Sequence, residues 1–264
     1  MAGVALSIEN RVALVTGGSR GIGVATVRLF REAGARVAFS YRTSGAAAEK
    51  LVAECGGEEF CRAYAQELTT PSDGRALVRR TVEAFGRIDI LVVNHGVWPA
   101  EDVSIAKMPD EQWRTTLAVN LDSVFGLIQA AAGQMKQPGR AAAGSAAGHI
   151  VLVSSTAGQR GEAFHADYAA SKGAIISMTK GLATELAPEG IQVNCVAPGW
   201  VRTEMSAPAL SDPASREKVL GAIPMGRVAD PKEIAGPILF LCTPLAGFMT
   251  GEIVNVNGGA VLIG

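Results

Sequence analysis

Val12-Ala13-Leu14-Val15-Thr16-Gly17-Gly18-Ser19-Arg20-Gly21-Ile22-Gly23 is the stretch from which the rest of the chain can be read. Its apolar start runs without alternation, the pattern of a strand buried on both faces. Gly17-Gly18 breaks it at once, and Ile22, Ala25, Leu29 and Phe30 then recur at helical spacing up to Gly34. A glycine turn between strand and helix lets backbone approach a pyrophosphate, whose charge meets N–H groups at the helix N-terminus. Gly17, Ser19, Arg20, Gly21, Ile22 and Gly23 are therefore candidate dinucleotide-binding residues. Their glycines follow Gly-x-x-x-Gly-x-Gly rather than the usual Gly-x-Gly-x-x-Gly.

The same rhythm continues outward. Strand-like runs recur at residues 36–41, 59–65, 88–93, 149–154, 192–196 and 252–256. Helical spacing fills residues 45–54, 72–85, 110–136, 166–187 and 231–241. Alternating strands and helices predict an α/β fold: one Rossmann-type, doubly wound parallel sheet of about seven strands with helices on both faces. No stretch reads as an interdomain linker, so residues 1–264 form a single domain. Two segments depart from the pattern. Pro138–Gly148 is small-residue sequence read as a surface loop. Residues 198–231 hold five prolines with Trp200, Met205, Leu210 and Met225, a lid or binding segment.

Composition narrows the function. Apolar residues make up 48% and charged residues 19%, and the net charge is −1. Nothing in that balance suits nucleic acid or an anionic membrane. No apolar run reaches the ~18 residues of a membrane span. The start of the chain lacks a signal-peptide pattern, and Cys55, Cys61, Cys195 and Cys242 show no disulfide or zinc spacing. The expectation is a cytoplasmic protein with reduced thiols and no metal site.

The end of the second strand reports on the nucleotide's ribose. Phe39-Ser40-Tyr41-Arg42-Thr43 carries no carboxylate, which would accept from both ribose hydroxyls. Arg20 and Arg42 instead favour the 2′-phosphate of NADP(H), with NAD(H) possible. Farther along, Tyr168 and Lys172 lie four residues apart and so share a helix face. A free phenol has a pKa of about 10, and a neighbouring ammonium lowers it toward the range useful for proton exchange. An ordinary surface pair has the same spacing.

Thr16-Gly-x-x-x-Gly21-x-Gly23, Asn94-His-Gly96, Asn120, Ser155, Tyr168-x-x-x-Lys172 and Pro198-Gly199, in that order, resemble the short-chain dehydrogenase/reductase family from about Arg11 to Gly259. Within its compact branch the chain is similar to 3-oxoacyl-[acyl-carrier-protein] reductases and related carbonyl reductases. The resemblance implies Tyr168 as catalytic acid/base and Lys172 as the residue that lowers its pKa and holds the nicotinamide ribose. It implies Ser155 as the hydroxyl that binds the substrate carbonyl, with Ser154 structural, and Asn120 as the asparagine that kinks a helix and holds a water on the proton path. It places Glu67, Leu68, Asn94 and Gly96 around the adenosine, beside the Tyr41, Arg42 and Thr43 already read at the end of the second strand. Pro198, Gly199, Val201 and Thr203 surround the nicotinamide. Val97, Trp98, Gln159, Phe164, Trp200 and Met205 are read as an apolar or aromatic substrate wall. His165 is read as lining the pocket entrance or capping its helix.

Three stretches depart from the family pattern. Val93-Asn94-His95-Gly96 replaces Asn-Asn-Ala-Gly, Glu67 replaces an aspartate, and Ala187-Pro188-Glu189-Gly190 is acidic where a carrier-protein reductase often has arginine. The expected activity is NADPH-dependent reduction of a ketone or 3-oxoacyl group, on a small-molecule carbonyl or an acyl-thioester. The rivals are a secondary-alcohol dehydrogenase running oxidatively and a non-catalytic dinucleotide sensor or scaffold. Small residues along 166–187 and the apolar tail 251–264 resemble the family's tetramer contacts, so a homotetramer is expected.

Overall fold

Val12–Val15 (β1) is fully buried, and its neighbours explain why. It pairs in parallel with Arg36–Tyr41 (β2) on one side and Ile90–Val93 (β4) on the other. Cys61–Ala65 (β3), Gly148–Val153 (β5), Ile191–Pro198 (β6) and Ile253–Val256 (β7) complete an all-parallel sheet of seven strands, ordered β3-β2-β1-β4-β5-β6-β7. The computed structural model describes residues 6–136 and 146–262. The stretch expected as a loop at Pro138–Gly148 lies outside them except for Ala146, Ala147 and Gly148, the last of which begins β5.

Alternate residues of each strand feed two cores. Ala13, Val15, Val37, Phe39, Ile90 and Val92 meet Val27 and Phe30 of Gly21–Glu32 (α1), Leu51 of Gly45–Glu54 (α2) and Ile234 and Ile238 of Pro231–Phe240 (α10). Val12, Leu14, Leu91 and Leu152 meet Leu77 of Pro71–Phe85 (α3), Leu127 of Ser123–Met135 (α5) and Ile175 of Ala166–Leu186 (α7). Each fully buried large apolar side chain stabilises by roughly 1.5–3 kcal/mol relative to exposure. Apolar demand on both faces is what makes these strands unbroken hydrophobic runs.

The helix expected over 110–136 is interrupted. Asp110–Leu117 (α4) passes into a single π-helical turn, Ala118–Asp122, before α5 begins. The turn carries Asn120, consistent with the association of such turns with functional positions. A short helix, Thr156–Arg160 (α6), follows β5 where none was expected. The proline-rich segment after β6 contains Ala207–Ser211 (α8) and Pro213–Gly221 (α9). Its base is closed by a parallel bridge between Val201 and Ala229. Strand order reverses between β1 and β4, and the crevice at a parallel sheet's carboxyl ends at such a point is where ligands bind.

Candidate active site

That crevice has a volume of about 300 Å³, and the glycine turn forms one end of it. The turn is held from two sides. Gly17 N–H donates to Ser40 Oγ (3.1 Å) and Gly18 N–H to the Ser40 carbonyl (2.8 Å), which binds it to the end of β2. Asn94 Nδ2 donates to the carbonyls of Thr16 (3.1 Å) and Gly17 (3.3 Å), which binds it to β4. Gly17 has φ +65°, a conformation that favours glycine. A Cβ at Gly23 would stand 2.0 Å from the Gly17 carbonyl oxygen, so α1 packs against the turn only without a side chain there. Arg20, at the N-cap of α1, makes no side-chain cap, and the helix's first turn holds no acidic residue. Its first N–H groups therefore suit an anion, and the cradle fits a pyrophosphate.

Of the expected cofactor residues, Gly17, Ser19, Arg20, Gly21, Ile22, Tyr41, Arg42, Thr43, Glu67, Leu68, Asn94, Gly96, Pro198, Gly199, Val201 and Thr203 all line the crevice. Gly23 does not line it: it is buried beneath the turn and shapes it from behind. Arg42 Nη1 lies 4.0 Å from Glu67 Oε1, both side chains more than half exposed, so this arginine is shared between an ion pair and the crevice.

At the centre, Ser155, Tyr168 and Lys172 line the same wall. Ser155 caps α6, its Oγ accepting from Ala157 N–H (3.1 Å). Ser154 Oγ donates to the Lys172 carbonyl (2.7 Å), pinning α7 to the end of β5. Lys172 Nζ donates to the Val153 carbonyl (2.9 Å) and sits 5.8 Å from the centroid of the Tyr168 ring. Burial pulls its pKa down to about 8. Burial pushes the Tyr168 phenol up to about 12, the Ser155 hydroxyl pulling against that and Glu162 adding to it. Burial thus outweighs the lowering of the phenol expected from Lys172, whose ammonium is directed at a backbone carbonyl.

Asn120 lies behind the wall rather than in it and is buried. Its Nδ2 donates to the Val97 carbonyl (2.9 Å) and Ser171 Oγ (3.1 Å), while its Oδ1 accepts from Val97 N–H (2.8 Å). A Cβ on Gly96 would lie 3.1 Å from Asn120 Oδ1 and 3.4 Å from Lys172 Nζ, so the missing side chain lets these two groups approach. His95 is a structural tie. Nδ1 lies 2.8 Å from Thr16 Oγ1, and Nε2 lies 2.9 Å from Ser123 Oγ and 3.1 Å from the Val119 carbonyl. Burial, then the Lys172 charge, holds its pKa down to about 3.

At the far end, Val97, Trp98, Trp200 and Met205 line the crevice as expected, whereas Gln159 and Phe164 do not. Helix α6 turns Gln159 outward, where Nε2 donates to Asn255 Oδ1 (2.5 Å). Phe164 is 53% exposed, with φ +66°. His165, at the N-cap position of α7, stacks on Trp98 with centroids 5.0 Å apart. The long segment lines the crevice only as far as Ser206; α8 and α9 lie outside the lining. Sequence reasoning missed Ser40, which ties the turn, and Arg160 and Glu162, which line the aromatic end. Glu162 carries one legible signal: it is the carboxylate between Ser155 and Tyr168 outside the helix of the latter. Among the described residues, no group of His, Cys, Asp or Glu is arranged to hold a metal, and no helix is long and apolar enough to cross a membrane.

Comparison with known proteins follows this geometry. The family described as Enoyl-(Acyl carrier protein) reductase matches residues 17–261. The 3-oxoacyl-[acyl-carrier-protein] reductase FabG of Vibrio cholerae is 38% identical over 98% of this chain and 100% of its own length. A 3-ketoacyl-(acyl-carrier-protein) reductase from Brucella melitensis, solved with NADH, superposes with a TM-score of 0.86 at 32% identity, covering 97% of this chain and 100% of that one. A blue fluorescent protein from a metagenomic library, solved with NADPH, gives 0.87 at 32%, covering 97% and 100%. The chain belongs to the short-chain dehydrogenase/reductase family and is an NAD(P)-dependent oxidoreductase acting on CH–OH/C=O groups.

Proposed function

We propose that the protein reduces a ketone or 3-oxoacyl group to a secondary alcohol with NADPH, Tyr168 acting as general acid. The observation that carries this reading is the convergence of Ser155, Tyr168 and Lys172 on one crevice wall, with the phenol held protonated near neutral pH. A protonated phenol suits reduction, in which the substrate oxygen gains a proton; oxidation would need the phenolate first. When bound, the reduced dinucleotide supplies the hydride. The Ser155 hydroxyl donates to the carbonyl oxygen, and Tyr168 passes its proton to that oxygen as negative charge builds there. Lys172 stabilises the phenolate left behind. Asn120 is a positioning residue that clamps the Val97 backbone and Ser171. Arg20 and Arg42 favour the 2′-phosphate, with no carboxylate at the end of β2 to oppose it.

The test is loss of NADPH absorbance, with NADH in parallel, against an acetoacetyl-thioester and a panel of alkyl and aryl ketones. Turnover of the thioester places the protein among acyl reductases, and turnover of free ketones alone makes it a stand-alone carbonyl reductase. Tyr168→Phe should lower the rate by about 10²–10⁴-fold; full activity in that variant overturns the mechanism. We also propose a homotetramer, supported by Phe125 on α5, half exposed, and by fully exposed Phe248 near the start of β7. A monomer in sedimentation at micromolar concentration refutes it.

A further inference from the structure

The aromatic end of the crevice contains a carboxylate that no cation pairs with at close range among the described residues. Trp98 and Trp200 meet nearly at right angles, centroids 6.0 Å apart and planes 83° apart, and form a corner beside Tyr168. Glu162 lines the same space, partly buried. Glu162 has no ion pair within 4.0 Å among the described residues, although nine other carboxylates in the structure do. His165 and the exposed Arg160, which also lines the crevice, act on Glu162 only from a distance and lower its pKa less than burial raises it. His165 is stacked on Trp98, and Asp102 adds negative charge on that side. Burial accordingly holds the Glu162 carboxyl above its ordinary range.

We propose that Glu162, with Trp98 and Trp200, determines specificity by selecting carbonyl substrates that carry an organic cation beyond the reacting group. Indole faces attract ammonium groups, most strongly when water is excluded, and a partly buried carboxylate gains from a counter-charge. A neutral substrate would gain no charge–charge attraction from the carboxylate. An anionic one would be repelled. The inference deepens the proposed ketone reduction and rests on it.

The experiment compares NADPH-dependent reduction of (4-acetylbenzyl)trimethylammonium with that of 4-neopentylacetophenone, which has the same shape and no charge. Both share the methylene spacer, and the cation's inductive pull on the carbonyl is the same in every variant, so the change in ratio between variants reports the site. Wild type should favour the cation in kcat/KM by about tenfold, the size of a desolvated cation–π contact with an opposing charge. In Glu162→Gln that ratio should fall severalfold, to what the indoles alone sustain, and Glu162→Asp should keep most of it; the ratio within each variant is read, so overall rates drop out. Equal ratios in wild type and Glu162→Gln, or a wild-type preference for a polyhydroxylated ketone over the cation, overturn the inference. Reduction of neither ketone sinks the proposed activity alone. The inference is then decided by quenching of tryptophan fluorescence with benzyltrimethylammonium: binding about tenfold weaker in Glu162→Gln supports it, and equal binding refutes it.

Discussion

At the glycine-turn end of the crevice the wall is backbone, whereas at the indole end it is side chain. The Gly17 and Gly18 N–H groups are tied to Ser40, and Asn94 braces the Thr16 and Gly17 carbonyls. Trp98, Glu162, Trp200 and Met205 instead project from three separate loops, their placement set by packing such as the His165–Trp98 stack. A backbone wall tolerates almost no added atoms but recognises a group common to many ligands. A side-chain wall tolerates change and decides which ligand is taken. The two ends should therefore fail differently when mutated.

Between the two ends, the largest effect is expected from Gly23→Ala. Its Cβ would meet the Gly17 carbonyl oxygen at 2.0 Å, and that atom is backbone and cannot swing away. Overpacking of this kind costs about 1–3 kcal/mol, and the displaced turn should weaken NADPH binding by about 10–100-fold. Nucleotide titration and thermal unfolding would measure both. Wild-type NADPH affinity in Gly23→Ala would mean that the cradle is not built as described.

The next effect separates recognition of the phosphate cradle from recognition of the ribose. Arg20→Ala with Arg42→Ala should reduce the preference for NADPH over NADH by about tenfold, an exposed arginine–phosphate contact being worth about 1–2 kcal/mol. Glu67→Gln should act in the opposite direction and by less, because it releases Arg42 from its 4.0 Å pair. An unchanged NADPH-to-NADH ratio in the double variant would move the 2′-phosphate elsewhere.

How far the sequence was legible follows the same division. Backbone recognition demands glycines at fixed places, so the turn and its strand–helix context could be read directly, and Tyr168 and Lys172 needed only a helix to share a face. The sheet was legible because burial on both faces leaves continuous apolar runs. Asn120 was visible, but its clamp on Val97 depends on a π-helical turn that no pattern of periodicity announces. The indole end was half legible. Residue type suggests an aromatic wall, but which way Gln159 points depends on the five-residue helix α6, too short to leave a periodic signal.

His95 and His149 give a pH test of the turn end against the rest of the fold. Burial holds them neutral, with pKa values down to about 3 and about 4, below the ordinary histidine value of about 6.5. Above pH ~6.5 both folded and unfolded chains carry them neutral. As pH falls below that, the unfolded chain takes up protons that the folded chain cannot, so stability is lost between about pH 6.5 and 3, with a slope approaching ~1.4 kcal/mol per pH unit for each histidine. His95→Asn should remove one share of that slope in denaturant titrations at pH 5 and 6. An unaltered slope would mean that His95 is charged in the folded state.

The smallest effect is expected where the sequence and the structure disagree about the indole end. Gln159 and Phe164 were expected in the substrate wall, yet Gln159 is hydrogen-bonded to Asn255 and Phe164 is half exposed. Gln159→Ala and Phe164→Ala should therefore leave kcat/KM for a neutral aryl ketone within about twofold of wild type, as for surface substitutions generally. Trp200→Ala, at the corner itself, should raise KM for the same ketone by about tenfold, since an aromatic truncation removes roughly 1–2 kcal/mol of contact even where partly exposed. If Phe164→Ala raised KM as much as Trp200→Ala, the loop before α7 would have to fold inward over the substrate. The indole end would then be a closing surface rather than a fixed wall.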